Sequence, residues 1–232
     1  MNFSFGIITS GQNEELIKKI INSIIIQQID NFEIIIVGGN NSDYFNAANI
    51  IHIPFDESLK KGWITRKKNL ITQSSKFENI VYMHDYIILE NGWYEGFIKF
   101  GNNFKIVTNK IYNLDNSRFR DWTLWNESDN LEIVGRKVDL NLLLPYFVTS
   151  LSNKMYISGA YWVAKKSVMS KYELNEQLSW GEAEDVEWSK RVRNNIGFKF
   201  NKYSSVKLLK QKRNDFKRIS YFQLFKILLK KS

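Results

Sequence analysis

The sequence predicts an α/β protein with a mostly parallel central sheet flanked by helices. Its strand-like runs are almost continuously apolar, as strands buried on both faces are, and they alternate with segments of helical period. The loops after three of these runs, at Thr9-Ser10-Gly11, Gly38-Gly39 and His84-Asp85, have the small and polar composition of a binding edge. In such sheets ligands collect outside the carboxyl ends of the strands.

Phe3 to Thr9 reads as a buried strand that ends in the loop Thr9-Ser10-Gly11-Gln12-Asn13. Leu16, Ile17, Ile20, Ile21 and Ile24 then recur at helical spacing. Glu33-Ile34-Ile35-Ile36-Val37 is a second strand, too apolar to be half exposed, and it stops at Gly38-Gly39-Asn40-Asn41. Ile50 to Ile53 reads as a third. A helix around Ile64 to Ser75 leads to a fourth strand, Asn79 to Met83, which ends at His84-Asp85. From Lys110 to Ser150 the periodicity weakens and aromatics mix with charges, an excursion from the sheet. Order returns with Met155 to Val163, then a carboxylate-rich helix, then Gly197-Phe198-Lys199-Phe200.

The 232 residues, 44% of them hydrophobic, suffice for one domain with a full core. Cys is absent, which excludes disulfides and leaves oxygen and imidazole as the only metal ligands. Met1 to Gly6 has no basic segment before an apolar run. No apolar stretch approaches the roughly 18–20 residues of a membrane-spanning helix. A cytoplasmic chain is expected, free or peripheral on the inner membrane face. Of the net charge of +9, residues 207–232 carry nine Lys or Arg against Asp215, a net +8 that leaves about +1 for the rest. A protein-wide nucleic-acid surface is therefore not expected. Residues 1–206 read as the domain and 207–232 as a basic tail. In the tail, cations alternate with Phe216, Ile219, Tyr221, Phe222, Leu224, Phe225, Ile227, Leu228 and Leu229. At helical spacing this is an apolar stripe flanked by Lys. It fits a helix lying on a membrane surface, or a terminal helix packed on the body with its cations in water.

The densest chemical signal is Trp180-Gly181-Glu182-Ala183-Glu184-Asp185-Val186-Glu187-Trp188, four carboxylates within six residues at a helix start. Carboxylates there complement the helix dipole, so some need no function. An indole beside a carboxylate offers a flat face for a sugar ring and a base for its hydroxyl, which points to carbohydrate chemistry. Glu187 and Arg191, four apart, read as a surface pair, Trp188 as core and His52 as structural.

The order of these elements over residues 3 to 203 resembles a family 2 glycosyltransferase of the GT-A fold. Ile7-Ile8-Thr9-Ser10-Gly11-Gln12-Asn13 looks like that family's first nucleotide-binding loop, and Glu33 through Ser42-Asp43 like its second strand and loop. Lys67-Lys68-Asn69 stands where the family has Arg-Asn, and Val81 to Asp85 where it has the metal-binding DxD. Trp180-Gly181 followed by Glu184-Asp185 looks like the Trp-Gly-x-Glu-Asp of inverting members with one extra residue. Gly38 occupies the position of an Asp that contacts the base, and the DxD is reduced to His84-Asp85-Tyr86.

The resemblance implies an inverting transfer of a sugar from a nucleotide-sugar donor to a glycan or lipid-linked acceptor. Thr9, Ser10, Gly11, Gly38, Lys68 and Asn69 would hold the donor, and Ser158-Gly159-Ala160 would lie beside its sugar. Asp85, with His84 as a second ligand, would hold a divalent cation, Mn²⁺ or Mg²⁺. Asp185 would be the general base, with Glu184 and Trp180 on the acceptor. Each has a plainer reading: a turn-forming Asp85, a packed His84, a solvated basic face for Arg66, Lys67 and Lys68, a core Trp180, and dipole-complementing Glu184 and Asp185. Two other functions share the features. A nucleotidyltransferase would carry a Gly-rich, cationic first loop, which Thr9 to Asn13 lacks. A non-catalytic nucleotide-sugar or glycan-binding module would suit the shortened DxD but not the intact Glu184-Asp185.

Overall fold

The computed structural model describes residues 1–39, 48–124, 132–133, 136–137, 141–213, 216–220 and 222–224. Asn40, Asn41, Ser42 and Asp43 of the second loop lie outside them, as do Asp215, Tyr221 and the tail from Phe225 onward. In chain order the elements are β1 (Phe3–Ile8), α1 (Glu14–Ile25), β2 (Phe32–Val37), β3 (Ile50–Ile53), α2 (Ile64–Ser74), β4 (Asn79–His84) and β5 (Ile87–Leu89). They continue with α3 (Trp93–Phe100), β6 (Ile106–Tyr112), β7 (Thr123–Leu124), β8 (Glu132–Ile133), β9 (Arg136–Lys137), β10 (Leu142–Leu143) and β11 (Met155–Tyr156). The last are β12 (Tyr161–Lys165), α4 (Lys166–Lys171), α5 (Glu184–Arg193), β13 (Lys199–Leu208) and β14 (Lys217–Arg218).

The main sheet runs β3-β2-β1-β4-β12-β6-β13-β5. β1 to β4 are parallel to one another and β13 is parallel to β6, whereas β12 and the edge strand β5 run the other way. The chain leaves β1 towards β2 and β3, then returns to the other side of β1 for β4. That reversal is the switch point at which open α/β sheets form a ligand crevice.

Both sheet faces are covered, which is why the strands read as continuous apolar runs. Because side chains alternate along a strand, Ile34 and Ile36 face α1 and α3 with Phe3, Phe5, Ile17, Ile20 and Trp93. Ile35 and Val37 face the opposite core with Ile71, Tyr82, Trp162 and Trp188. Helix α1 begins where expected because the Asn13 side chain accepts the Leu16 N–H at 3.2 Å and Glu14 and Glu15 fill the first turn. Trp188 is core, and Glu187 pairs with Arg191 at 2.8 Å.

Residue 206, after which the tail is expected to begin, lies within β13. Val206 and Leu208 are fully buried as alternate residues of β13, so the strand runs through that boundary. Beyond it the Leu209 N–H donates to the Tyr86 carbonyl, β14 pairs with β10, and Phe216 packs with Leu143, Tyr156 and Val186. Only 222–224 are helical among the described tail residues, and Phe216, Ile219 and Leu224 turn to the body because the core offers them contact. Among the described residues no helix is long and apolar enough to cross a membrane.

Candidate active site

The strand ends at the switch point are tied together by their own polar groups. The Thr9 hydroxyl, just past β1, donates to Asp85 Oδ2 at 2.8 Å and accepts the Gly11 N–H at 3.0 Å. Gly38 lies against Thr9: its φ is +117°, and a Cβ there would sit 1.9 Å from the Thr9 carbonyl oxygen. No side chain fits there without a shift of the backbone. The His52 ring nitrogen meets the Gly38 carbonyl at 2.9 Å, a structural contact. The Lys67 ammonium donates to the Thr9 carbonyl at 2.7 Å and pairs with Glu57. Ser10, Gly11 and Gly39 line a cavity of about 880 Å³ with Pro54 to Ser58.

The carboxylate lobe comes from the N-terminus of α5. Asp185 Oδ2 accepts the Gly159 N–H at 2.6 Å and Oδ1 accepts the Val186 N–H at 2.9 Å, so the backbone fixes the carboxylate's orientation. The Gly159 carbonyl accepts a 3.0 Å bond from the Lys68 ammonium. Gly159 leaves no slack, since a Cβ there would lie 3.0 Å from both Asp185 Oδ2 and Glu184 Oε1. Burial raises the Asp185 and Glu184 carboxyls above the usual range; Lys68 pulls Glu184 back, and the Gly159 N–H and then Lys68 pull Asp185 back. Burial lowers Lys68 in turn, against the two carboxylates that favour its charge.

Lys68 is thus neither on a solvated face nor exposed to a ligand. It is 1% exposed, under the Trp162 ring at 4.7 Å, and acts on the carboxylates. Asn69 is not brought to the cleft either. Its side chain bonds the Leu174 carbonyl and N–H and the Glu176 carboxylate, bracing α2 against that segment. Trp180 is no core residue. It is 67% exposed and lines a cleft of about 640 Å³ with Glu184, Asp185, Ser158, Gly159 and His84.

The same cleft holds cations that the sequence reading left in the tail: Lys210, Lys212 and Arg213, with Arg120. Lys210 and Lys212 stand 3.9 Å and 4.1 Å from the centre of the Tyr86 ring, and Lys212 donates to the Tyr86 hydroxyl at 2.5 Å. Their only sequence signal was a basic run directly after an apolar strand. These charges bear on the fit of a divalent cation. Asp85 supplies one carboxylate, already engaged by Thr9, and no group of three His, Asp or Glu that could hold a metal occurs among the described residues. Burial and then Lys68, Lys212 and Lys210 push the His84 pKa well below its usual value. The ring is therefore neutral, as a ligand must be, yet the surrounding charge is the wrong sign for a metal.

The chain resembles solved structures. It covers 90% of itself and 60% of S. aureus TarS 1-349, with a TM-score of 0.59 at 14% identity. For the same TarS fragment in complex with UDP-GlcNAc the values are 93%, 60%, 0.61 and 13%. For GalNAc-T7 with UDP, GalNAc and Mn²⁺ they are 91%, 44%, 0.62 and 10%. The fold is that of these GT-A glycosyltransferases. The chain spans about three-fifths of the TarS fragment. No protein-family model matches the chain, and no curated protein matches it in sequence.

Proposed function

We propose that the protein is an inverting glycosyltransferase that moves a sugar from a nucleotide-sugar donor to a glycan or lipid-linked acceptor. The observation that carries this reading is the Asp185 carboxylate, oriented by two backbone N–H groups, in one cleft with the exposed Trp180 and the cations beside Tyr86. Asp185 takes the proton of the acceptor hydroxyl as its oxygen bonds to the anomeric carbon. The bond from that carbon to the diphosphate oxygen breaks, and its electron pair leaves with the diphosphate. General-base assistance of this kind is typically worth 10²–10⁴-fold. Trp180 gives the acceptor ring a flat apolar face, and Glu184 orients its hydroxyls. The UDP and UDP-GlcNAc bound to the structural neighbours support a nucleotide-sugar donor across Thr9, Ser10, Gly11 and Gly38. For a lipid-linked acceptor the exposed Lys217, Arg218 and Phe222 support work at a membrane surface.

A divalent cation like the Mn²⁺ crystallised with GalNAc-T7 would be held by Asp85 and His84. The positive charge around that pair fits it poorly. The test is a thermal-shift panel of nucleoside diphosphates and nucleotide sugars, each with and without Mn²⁺. One base and sugar should raise the melting temperature, because a ligand that binds only the folded state stabilises it. That donor should then release its nucleoside diphosphate when a glycan acceptor is added. A panel without a single shift contradicts the proposal.

A further inference from the structure

We propose that Lys210 and Lys212, with Arg120 beside them, bind the donor diphosphate directly, at the position where a DxD motif would place a divalent cation. The inference rests on the transferase reading and concerns how that site handles its phosphates. Three observations lead to it. The donor set is poor for a divalent cation, since Asp85 is the one carboxylate among residues 84 to 86 and it already accepts from Thr9. The cations are in the right place, both ammonium groups lying over the ring of the residue directly after Asp85.

Their segment is also built to stay there. The buried Asn113 donates to the Lys212 carbonyl and accepts the Lys212 N–H, each at 3.0 Å. The Gln211 amide exchanges bonds with the Asp115 N–H and carboxylate at 3.2 Å and 3.1 Å, and the Leu209 N–H is tied to the Tyr86 carbonyl. A surface tail has no need of these bonds. They hold like charges near one another, an arrangement that a bound anion relieves. Consistent with that crowding, burial and then Lys210 and Arg120 push Lys212 down to about 8. Lysines serve here as point charges, which suits phosphate oxygens.

Isothermal titration of the full chain with inorganic pyrophosphate, and separately with UDP, in EDTA tests the assignment. Pyrophosphate should bind in EDTA, and added Mn²⁺ should change its affinity by less than roughly threefold. The Lys210→Gln/Lys212→Gln double variant should lose roughly 10-fold or more, the scale of lost charge-assisted bonds. The thermal unfolding of the double variant, followed by circular dichroism beside the wild type, serves as the folding control. Absence of pyrophosphate binding in EDTA overturns the proposal whatever Mn²⁺ then adds, and so does a double variant that binds normally. The transferase reading fails separately: pyrophosphate held by the lysines, with no nucleotide sugar bound or turned over, leaves the anion site standing in a non-catalytic module.

Discussion

Asp185 and Lys68 are linked through one residue, Gly159, whose carbonyl accepts from the lysine and whose N–H donates to the aspartate. Burial raises the Asp185 carboxyl, and the Gly159 N–H and then the Lys68 charge restrain it. Replacing Lys68 by Met keeps the buried volume and removes that restraint. The Asp185 pKa should then rise, so the acidic limb of kcat/KM should move to higher pH, as a pH–rate profile of the two proteins will show. An unmoved limb would mean that Lys68 is only packing. Lys212 controls the other side. With its pKa at about 8, donor capture should decline as pH rises through that value and the ammonium loses its proton. The groups facing it are Lys210, Arg120, Asp85 and Tyr86. Because kcat/KM reports the free enzyme, the limb should appear there and move to higher pH in Lys212→Arg, whose guanidinium stays charged.

At the scale of elements, close approach of the β1 and β2 ends dictates what can stand between them. Gly38→Asp would place a carboxylate at the end of β2, yet the left-handed φ and the 1.9 Å approach to the Thr9 carbonyl leave it no room. We expect a loss of stability of at least about 2 kcal/mol by denaturant midpoint, from backbone strain and overpacking, and weaker donor binding. The strand ends themselves were legible. Apolar runs broken by Thr9, Gly38 and His84-Asp85 gave β1, β2 and β4 within a residue or so, because a strand buried on both faces has no other pattern. The carboxylate helix was legible through its charge density at a helix start. Lys68 and Asn69 were not, because helical period says which face a residue shares and nothing of what covers that face. Here Trp162, Gly159 and the 174–176 segment cover it. Lys210 and Lys212 were missed for a related reason. Their meaning comes from Tyr86 and Asn113, about a hundred residues away, and a basic run alone reads as a solvated tail.

On the scale of the molecule, the sheet, the carboxylate lobe and the returning chain after β13 form one unit. Phe216 fills a cluster with Val186 of α5, so the terminal segment supports the helix that carries Asp185 as well as bringing cations to the cleft. Truncation after Leu208 should lower the melting temperature and abolish UDP binding together, which differential scanning fluorimetry with and without UDP will show. A separable tail would change neither. The central claim, that Asp185 is the base of a sugar transfer, is tested most directly by the turnover number of Asp185→Asn beside Glu184→Gln. The amide keeps size and can still accept the Gly159 N–H but cannot take a proton. Turnover of Asp185→Asn should fall roughly 10²-fold or more with donor affinity nearly unchanged, and Glu184→Gln should cost less. Near-normal turnover of Asp185→Asn contradicts the account: the base lies one residue earlier if Glu184→Gln is inactive, and the carboxylates are only a helix start if both variants work.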